Sequence, residues 1–297
     1  MSPSLELPSL PLIKWVGGKR KLLPTLFEHV PNLDGLQSGQ ATFFEPFIGG
    51  AAFFMHLQAH CLAQGQRMRA SINDFNPELY NLYCQVRDNP ERLGAELSSG
   101  RYRLDKDAFL AIRAWDRDAD WDTEKNALRR AARFLYLNKT AFNGVWRVNA
   151  SGFFNVPYAN PKVLNLPSAE VLNNYATLLK DVAITQGDFE AAVATAVAGD
   201  VVYFDPPYAP VSATASFTGY TKDGFDSGMQ HRLAALLRSL SDRGIHWMLS
   251  NSDTPFTREV FGTIERSTLH TVQMARSINR NRDGRGKINE ILVVSEN

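Results

Sequence analysis

The residues best suited by type and spacing to do chemistry are Asp205-Pro206-Pro207-Tyr208, which follow the apolar run Val201-Val202-Tyr203-Phe204. Proline has no N–H and a fixed φ, so a strand through 201–204 must end there. An acid, a proline carbonyl and a flat ring are then held stiffly at the C-terminal end of a strand, where open α/β sheets bind ligands. The set suits a planar substrate that carries an amino group. The Asp205 carboxylate and the Pro206 carbonyl can both accept from an NH2, and Tyr208 can stack on the ring that bears it. A loop of this composition arising by chance is the alternative.

Three other segments carry possible chemistry. Phe47-Ile48-Gly49-Gly50-Ala51 follows one predicted strand and opens a helix, and Asp74 closes the next strand. Glycines there let a ligand approach the backbone, and an acid at that offset can meet a ribose hydroxyl pair. A structural turn fits as well. The spacing is not GxGxxG and no P-loop is present, so a nucleoside without a pyrophosphate is the better ligand. Gly187-Asp188-Phe189 closes a third strand; Asp188 is either an acceptor for an adenine amino group or an ordinary helix N-cap. Phe142-Asn143-Gly144-Val145-Trp146-Arg147 reads as a packed turn or as a finger with an apolar wedge and a base-reading arginine. The basic run Arg276, Arg280, Arg282, Arg285, Lys287 is a solvated tip or a phosphate contact. The six histidines form no HxH or HExxH set, so no metal site is expected. Neither GxSxG nor a cysteine–histidine pair suggests a covalent nucleophile.

These residues need elements to position them. A glycine turn at 14–21 leads into a helix, 41–44 reads as a strand, 51–63 as a helix, and 69–73 as a strand ending at Asp74. Helical spacing continues from 78 to 137, and 138–157 reads as a hairpin or extended loop. Strands at 182–185, 201–204 and 246–250 and a helix at 229–243 follow. Residues 268–274 and 290–294 form a final antiparallel pair around the basic loop. A helical and hairpin insert therefore interrupts an α/β sheet.

Composition excludes little. The 297 residues are 44% hydrophobic and 21% charged with net charge +1, so nucleic-acid binding must rest on local clustering. Cys61 and Cys84 lack CxxC partners and read as buried free thiols in a reducing cytoplasm. No apolar run approaches the roughly 18 residues of a membrane span. The segment Met1–Pro11 lacks the basic start of a signal peptide.

Together the segments resemble the Dam-type (D12 class, alpha group) site-specific DNA adenine methyltransferases. The resemblance covers Lys14-Trp15-Val16-Gly17-Gly18-Lys19, Glu45-Pro46-Phe47-Ile48-Gly49-Gly50, Asp74, Leu135-Tyr136-Leu137-Asn138, Phe142-Asn143-Gly144 and Phe153-Phe154-Asn155-Val156-Pro157. It continues through Val202 to Pro210, Ser212 to Phe217, Ser250 to Thr254 and Arg276-Ser277-Ile278, in the family's order.

The resemblance implies an α/β fold of class I S-adenosylmethionine-dependent methyltransferase type, a Rossmann-like seven-stranded sheet. Residues 1–75 and 167–297 would form this catalytic domain. Residues 76–166 would form an inserted helical and β-hairpin target-recognition domain. It implies S-adenosylmethionine as donor, S-adenosylhomocysteine as product, no metal, and double-stranded DNA as partner. Trp15, Gly17, Gly18 and Lys19 would lie along the donor, and Phe47, Gly49 and Gly50 beneath its methionine part. Asp74 would bind the ribose, and Asp188 and Phe189 the donor's adenine. Asp205, Pro206 and Tyr208 would hold the target adenine, with Asp205 also bordering the donor. Lys14 and Arg147 match guanine-reading positions, and Phe142, Asn143, Val145, Asn155 and Pro157 match hairpin positions at the bases. Arg276, Arg280 and Arg282 would face phosphate. GATC is the expected site, and a monomer or weak dimer in a bacterial or phage-encoded cytoplasmic setting is expected. Two departures stand out: Ala51 replaces the second glycine of FxGxG, and the basic run after Pro157 thins to Asn160 and Lys162. The rivals are a methyltransferase of RNA bases or protein amides, and a catalytically weak or inactive DNA-binding relative.

Overall fold

The strands are β1 (Thr42–Glu45), β2 (Arg69–Asp74), β3 (Ala183–Gln186), β4 (Val201–Phe204), β5 (His246–Ser252), β6 (Ser267–Ala275) and β7 (Lys287–Ser295). The computed structural model describes residues 8, 11–208, 225–275 and 287–296. Among these residues the seven strands form one sheet in the order β3-β2-β1-β4-β5-β7-β6. All pairs are parallel except β7, which runs antiparallel to both β5 and β6. The chain walks outward from β1 to β3, returns to β4 beside β1, and walks the other way. The reversal leaves a crevice beyond the C-terminal ends of β1 and β4, the place where such sheets take ligands.

The helices are α1 (Leu23–Glu28), α2 (Leu33–Gln37), α3 (Ala52–Ala63), α4 (Pro77–Asp88), α5 (Pro90–Leu97), α6 (Lys106–Arg113), α7 (Ala127–Thr140), α8 (Ala169–Leu179), α9 (Phe189–Ala192), α10 (Ser227–Asp242) and α11 (Pro255–Phe261). Alternate strand residues feed two cores, as period-2 side chains must. Phe43, Tyr203 and Met248 pack with Phe53 and Leu57 of α3. Phe44, Val202, Trp247 and Leu249 pack with Leu233 and Leu237 of α10 on the other face. The first core continues without a break into the insert through Leu79 and Leu82 of α4 and Phe134 of α7. Local capping sets where the insert's helices begin. The Asn76 side chain accepts from Glu78 N with Pro77 at the first position, and Asp105 accepts from Ala108 N.

Several expectations shift. The α7 helix runs three residues beyond its expected end at Leu137, so Asn138 is helical and buried, not part of a loop. The expected hairpin is held by two isolated bridges, Ala141 to Tyr158 and Val148 to Phe154, around a 3-10 turn at Phe142–Gly144. Asn143 at φ 56° and Gly144 at φ 64° interrupt any regular strand there. Cys61 is buried, but Cys84 on the outer side of α4 is only half-buried. The matched segment 212–217 and the arginines Arg276, Arg280 and Arg282 lie outside the described residues. No helix among the described residues is long and apolar enough to cross a membrane.

Candidate active site

A cleft of ≈ 1170 Å³ opens at the crevice between β1 and β4. It brings together Lys14, Trp15, Gly17, Gly18, Lys19, Phe47, Gly49, Gly50, Asp74, Asp188, Phe189, Asp205, Pro206 and Tyr208, residues from five separate parts of the chain. Phe142, Asn143, Val145, Arg147, Asn155 and Pro157 do not line it; they sit on the adjoining turn and hairpin.

One end of the cleft is built from main chain. After β1 the backbone turns through Gly49 at φ 45°, which accommodates glycine at little steric cost. A Cβ on Gly49 would stand 2.7 Å from Trp15 Cδ1, so the indole lies directly on this loop. Tyr83 Oη donates to the Gly49 carbonyl at 2.6 Å, and the Ile48 N–H donates to the Asn73 carbonyl at 2.8 Å. Asn73 also donates to the carbonyls of Pro46 and Gly187, tying three strand ends together. The Asp74 carboxylate accepts from Gly49 N at 3.0 Å and Asn76 N at 2.9 Å. Burial pushes its pKa up to about 6 against these donors. Ala51, the departure from glycine, has φ 58° and a fully buried side chain. The family's glycine would meet this left-handed backbone without the penalty of about 1–2 kcal/mol that a Cβ brings.

The outer wall is aromatic. Phe47 lies 5.4 Å from Phe189 at an interplanar angle of 30°, and Phe225 meets both rings. The Asp188 carboxylate accepts from Glu190 N at 2.9 Å and so caps α9, as the N-cap reading has it. Its carboxylate also receives Arg232 through two bonds of 2.7 and 2.9 Å, and the guanidinium lies 4.9 Å over the Phe189 ring. Nothing in the sequence around Arg232 points to this place; it arrives from the middle of α10.

The other end is built from charge. Lys19, which resemblance alone places along the donor, has its Nζ 2.7 Å from Asp205 Oδ1 and 4.5 Å from the centre of the Tyr208 ring. It also donates to the Gly17 carbonyl at 2.7 Å. Tyr208 Oη donates to Glu290 Oε2 at 2.6 Å, which fixes the ring from the last strand. Burial pushes the Asp205 carboxyl up to about 6; Lys19 opposes the rise and Glu290 adds to it. Glu45, buried behind them, accepts from Phe54 N at 3.0 Å, and burial together with Asp205 holds its pKa well above the ordinary value. Glu290 was recognisable only as an acid entering an apolar strand.

Beside the cleft, the turn after α7 carries the outward-facing residues. Phe142 is 57% exposed, a large apolar side chain with no core to cover it. Arg147 is exposed and bonds Asn155 Oδ1 at 2.7 Å, which leaves most of its donors directed outward. Asp116, bridging to the buried Arg133, also accepts from Phe154 N at 2.7 Å and so supports the hairpin from beneath. Among the described residues no group of three metal-binding side chains stands together.

The strand order, the glycine loop after β1 and the acid that ends β2 define a class I S-adenosylmethionine-dependent methyltransferase fold. Comparison of the sequence narrows this: the profile of the D12 class N6 adenine-specific DNA methyltransferases matches residues 15–278. The chain belongs to that family and is an adenine-specific DNA methyltransferase. It is 40% identical over 288 residues to the type II methyltransferase M1.LlaDCHI of Lactococcus lactis subsp. cremoris, covering 96% of this chain and 95% of the relative. It is 38% identical to the type II methyltransferase M.MjaIII of Methanocaldococcus jannaschii, covering 96% of this chain and 98% of the relative. The DNA adenine methylase of Escherichia coli is 33% identical, with 95% of this chain and 94% of the relative covered.

Proposed function

We propose that the enzyme methylates the exocyclic amino group of an adenine flipped out of duplex DNA, within GATC, with S-adenosylmethionine as donor. The observation that carries the target assignment is the position of Lys19 Nζ, a nitrogen donor seated on Asp205 and over the face of Tyr208. A nitrogen at that point already satisfies the acid while a planar group can cover the ring. The donor end fits its ligand for a separate reason. Gly49 lets the Trp15 indole lie against the loop backbone, Asp74 presents a carboxylate oriented by two N–H groups, and Phe47 and Phe189 offer an apolar aromatic wall.

When bound, S-adenosylmethionine supplies an electrophilic methyl on a sulfonium; everything else falls to the chain. Inside a duplex the amino group is out of reach, so the base must leave the stack at a cost of a few kcal/mol. Phe142 and Val145, at the turn, are suited to fill the gap, and Tyr208 to stack on the extruded ring. Lys19 must yield its place on Asp205. The amino nitrogen is a poor nucleophile while its lone pair is shared with the ring. Hydrogen bonds from it to the Asp205 carboxylate and the Pro206 carbonyl favour a pyramidal nitrogen with an available lone pair. The N–C bond then forms as the S–C bond breaks, and the surplus proton leaves along the bond to Asp205. Positioning and electrostatics account for the catalysis, with no enzyme nucleophile.

Residues 76–166 serve as the recognition unit, with Lys14 added from the N-terminal side. Arg147 reads a guanine, worth about 1–3 kcal/mol of discrimination. Modified-base sequencing of plasmid DNA from a methylation-free host expressing the chain tests the reading. Methyl-adenine confined to GATC supports it; a different or longer site would correct the recognition sequence, and methylated RNA in place of DNA would overturn it. Arg147→Ala is expected to relax sequence choice more than it weakens binding. Equal loss on cognate and random duplexes would reduce Arg147 to a phosphate contact.

A further inference from the structure

Asn138 stands at the end of α7, 3% exposed, with its amide between two segments that are 124 and 6 residues away in sequence. Its Oδ1 accepts from Lys14 N at 2.9 Å, and its Nδ2 donates to Lys14 O at 2.8 Å and to Gly144 O at 3.0 Å. One N–H and two carbonyls around a single amide admit only this orientation, since the amide has one acceptor and one doubly donating end. Both main-chain groups of Lys14 are therefore held, as a strand partner would hold them.

The third corner is closed by packing. Gly144 has φ 64°, and a Cβ there would lie 2.8 Å from Asn138 O and 3.1 Å from Lys14 Cβ and Cδ. The lysine stem thus runs along the turn that carries Phe142, Asn143 and Val145. A second tether is the Lys139 ammonium, which donates to Leu12 O at 3.4 Å.

We infer that Asn138 is a positioning residue for sequence recognition: it locks Lys14 and the 142–145 turn into one rigid reader. Its effect is exerted on DNA through Lys14 and the turn; Asn138 itself, being buried, does not touch the bases. This rests on the reading of Lys14 as a base contact given above. The base that Lys14 reads and the step where the turn enters the duplex then keep a fixed register, because neither segment can move without breaking a buried hydrogen bond.

The test compares kcat/KM on a GATC duplex with kcat/KM on duplexes changed at one base pair. Asn138→Asp keeps the acceptor for Lys14 N and loses both donations. It is expected to lower discrimination at one position of the site by tenfold or more, at the position where Lys14→Ala lowers it. S-adenosylmethionine affinity by calorimetry should stay within twofold, which a general loss of structure would not allow. In the double variant the losses should not multiply, since both act through one contact. Wild-type discrimination in Asn138→Asp beside a clear loss in Lys14→Ala would overturn this inference and leave the proposed function standing. So would losses that multiply in the double variant. Wild-type discrimination in Lys14→Ala would overturn the inference together with the reading of Lys14 as a base contact. If Asn138→Asp does not fold, Gly144→Ala decides: its added methyl pushes the same corner apart and is expected to give the same positional loss, and unchanged discrimination there overturns the inference.

Discussion

The proposed donor end and the proposed target end of the cleft are made of different material. The donor end relies on backbone: a glycine at positive φ, N–H groups on Asp74, carbonyls tied by Asn73 and Tyr83. The target end relies on side chains of opposite charge brought from 19, 45, 205 and 290. A backbone cradle is set once the strands align, and it tolerates little added bulk. A cluster of buried acids around one lysine is balanced only while each partner is present, so removal of any one is costly. The first design suits a ligand that every turnover shares; the second suits a base that must be admitted, held and released.

The largest expected effect lies at the target end. Asp205→Ala should retain DNA binding and lose methyl transfer by about 10³-fold, in line with the loss of a preorganised electrostatic group. Near-normal turnover in single-turnover assays would end the division drawn here. At the donor end, Gly49→Ala should weaken S-adenosylmethionine binding by about tenfold, from the cost of a Cβ at positive φ and its clash with Trp15. Duplex binding should be unchanged, and calorimetry with each ligand separates the two.

Acidity sharpens the comparison further. Burial raises both Asp205 and Asp74 to about 6, and in the roles proposed here the ionised form is the stronger acceptor. A raised carboxylate pKa places the loss of the charged form near neutrality. Donor affinity and kcat/KM for DNA should therefore both fall as pH drops through about 6, by about tenfold per unit where one group titrates. A flat profile down to pH ~4, the ordinary carboxylate range, would show that the acids are not buried as described. The smallest effect is expected from Tyr208→Phe. The ring and its stacking face remain and only the bond to Glu290 is lost, so a fall of about fivefold in kcat/KM, about 1 kcal/mol, is expected. A loss as large as that of Asp205→Ala would mean that the hydroxyl itself takes part in the reaction.

The amino-acid sequence alone determined the strands and helices around the site, because proline, glycine and period-2 runs are local signals. Asp205-Pro206-Pro207-Tyr208, Phe47-Ile48-Gly49-Gly50 and Asp74 lie where short-range chemistry placed them, at strand ends. The reversal of strand order at β1 and β4 decided which of these ends adjoin, and pairing across 158 residues cannot be read from neighbours in the chain. Only the tertiary structure put Lys19 on Asp205, brought Arg232 from α10 to Asp188, and set Glu290 under Tyr208. It also carried α7 on to Asn138, where packing of a buried amide against Lys14 and Gly144 outweighed the local preference of asparagine and glycine for a loop. Contacts of this kind depend on which distant segments share a buried volume, and that is settled when the sheet and the insert close on one another.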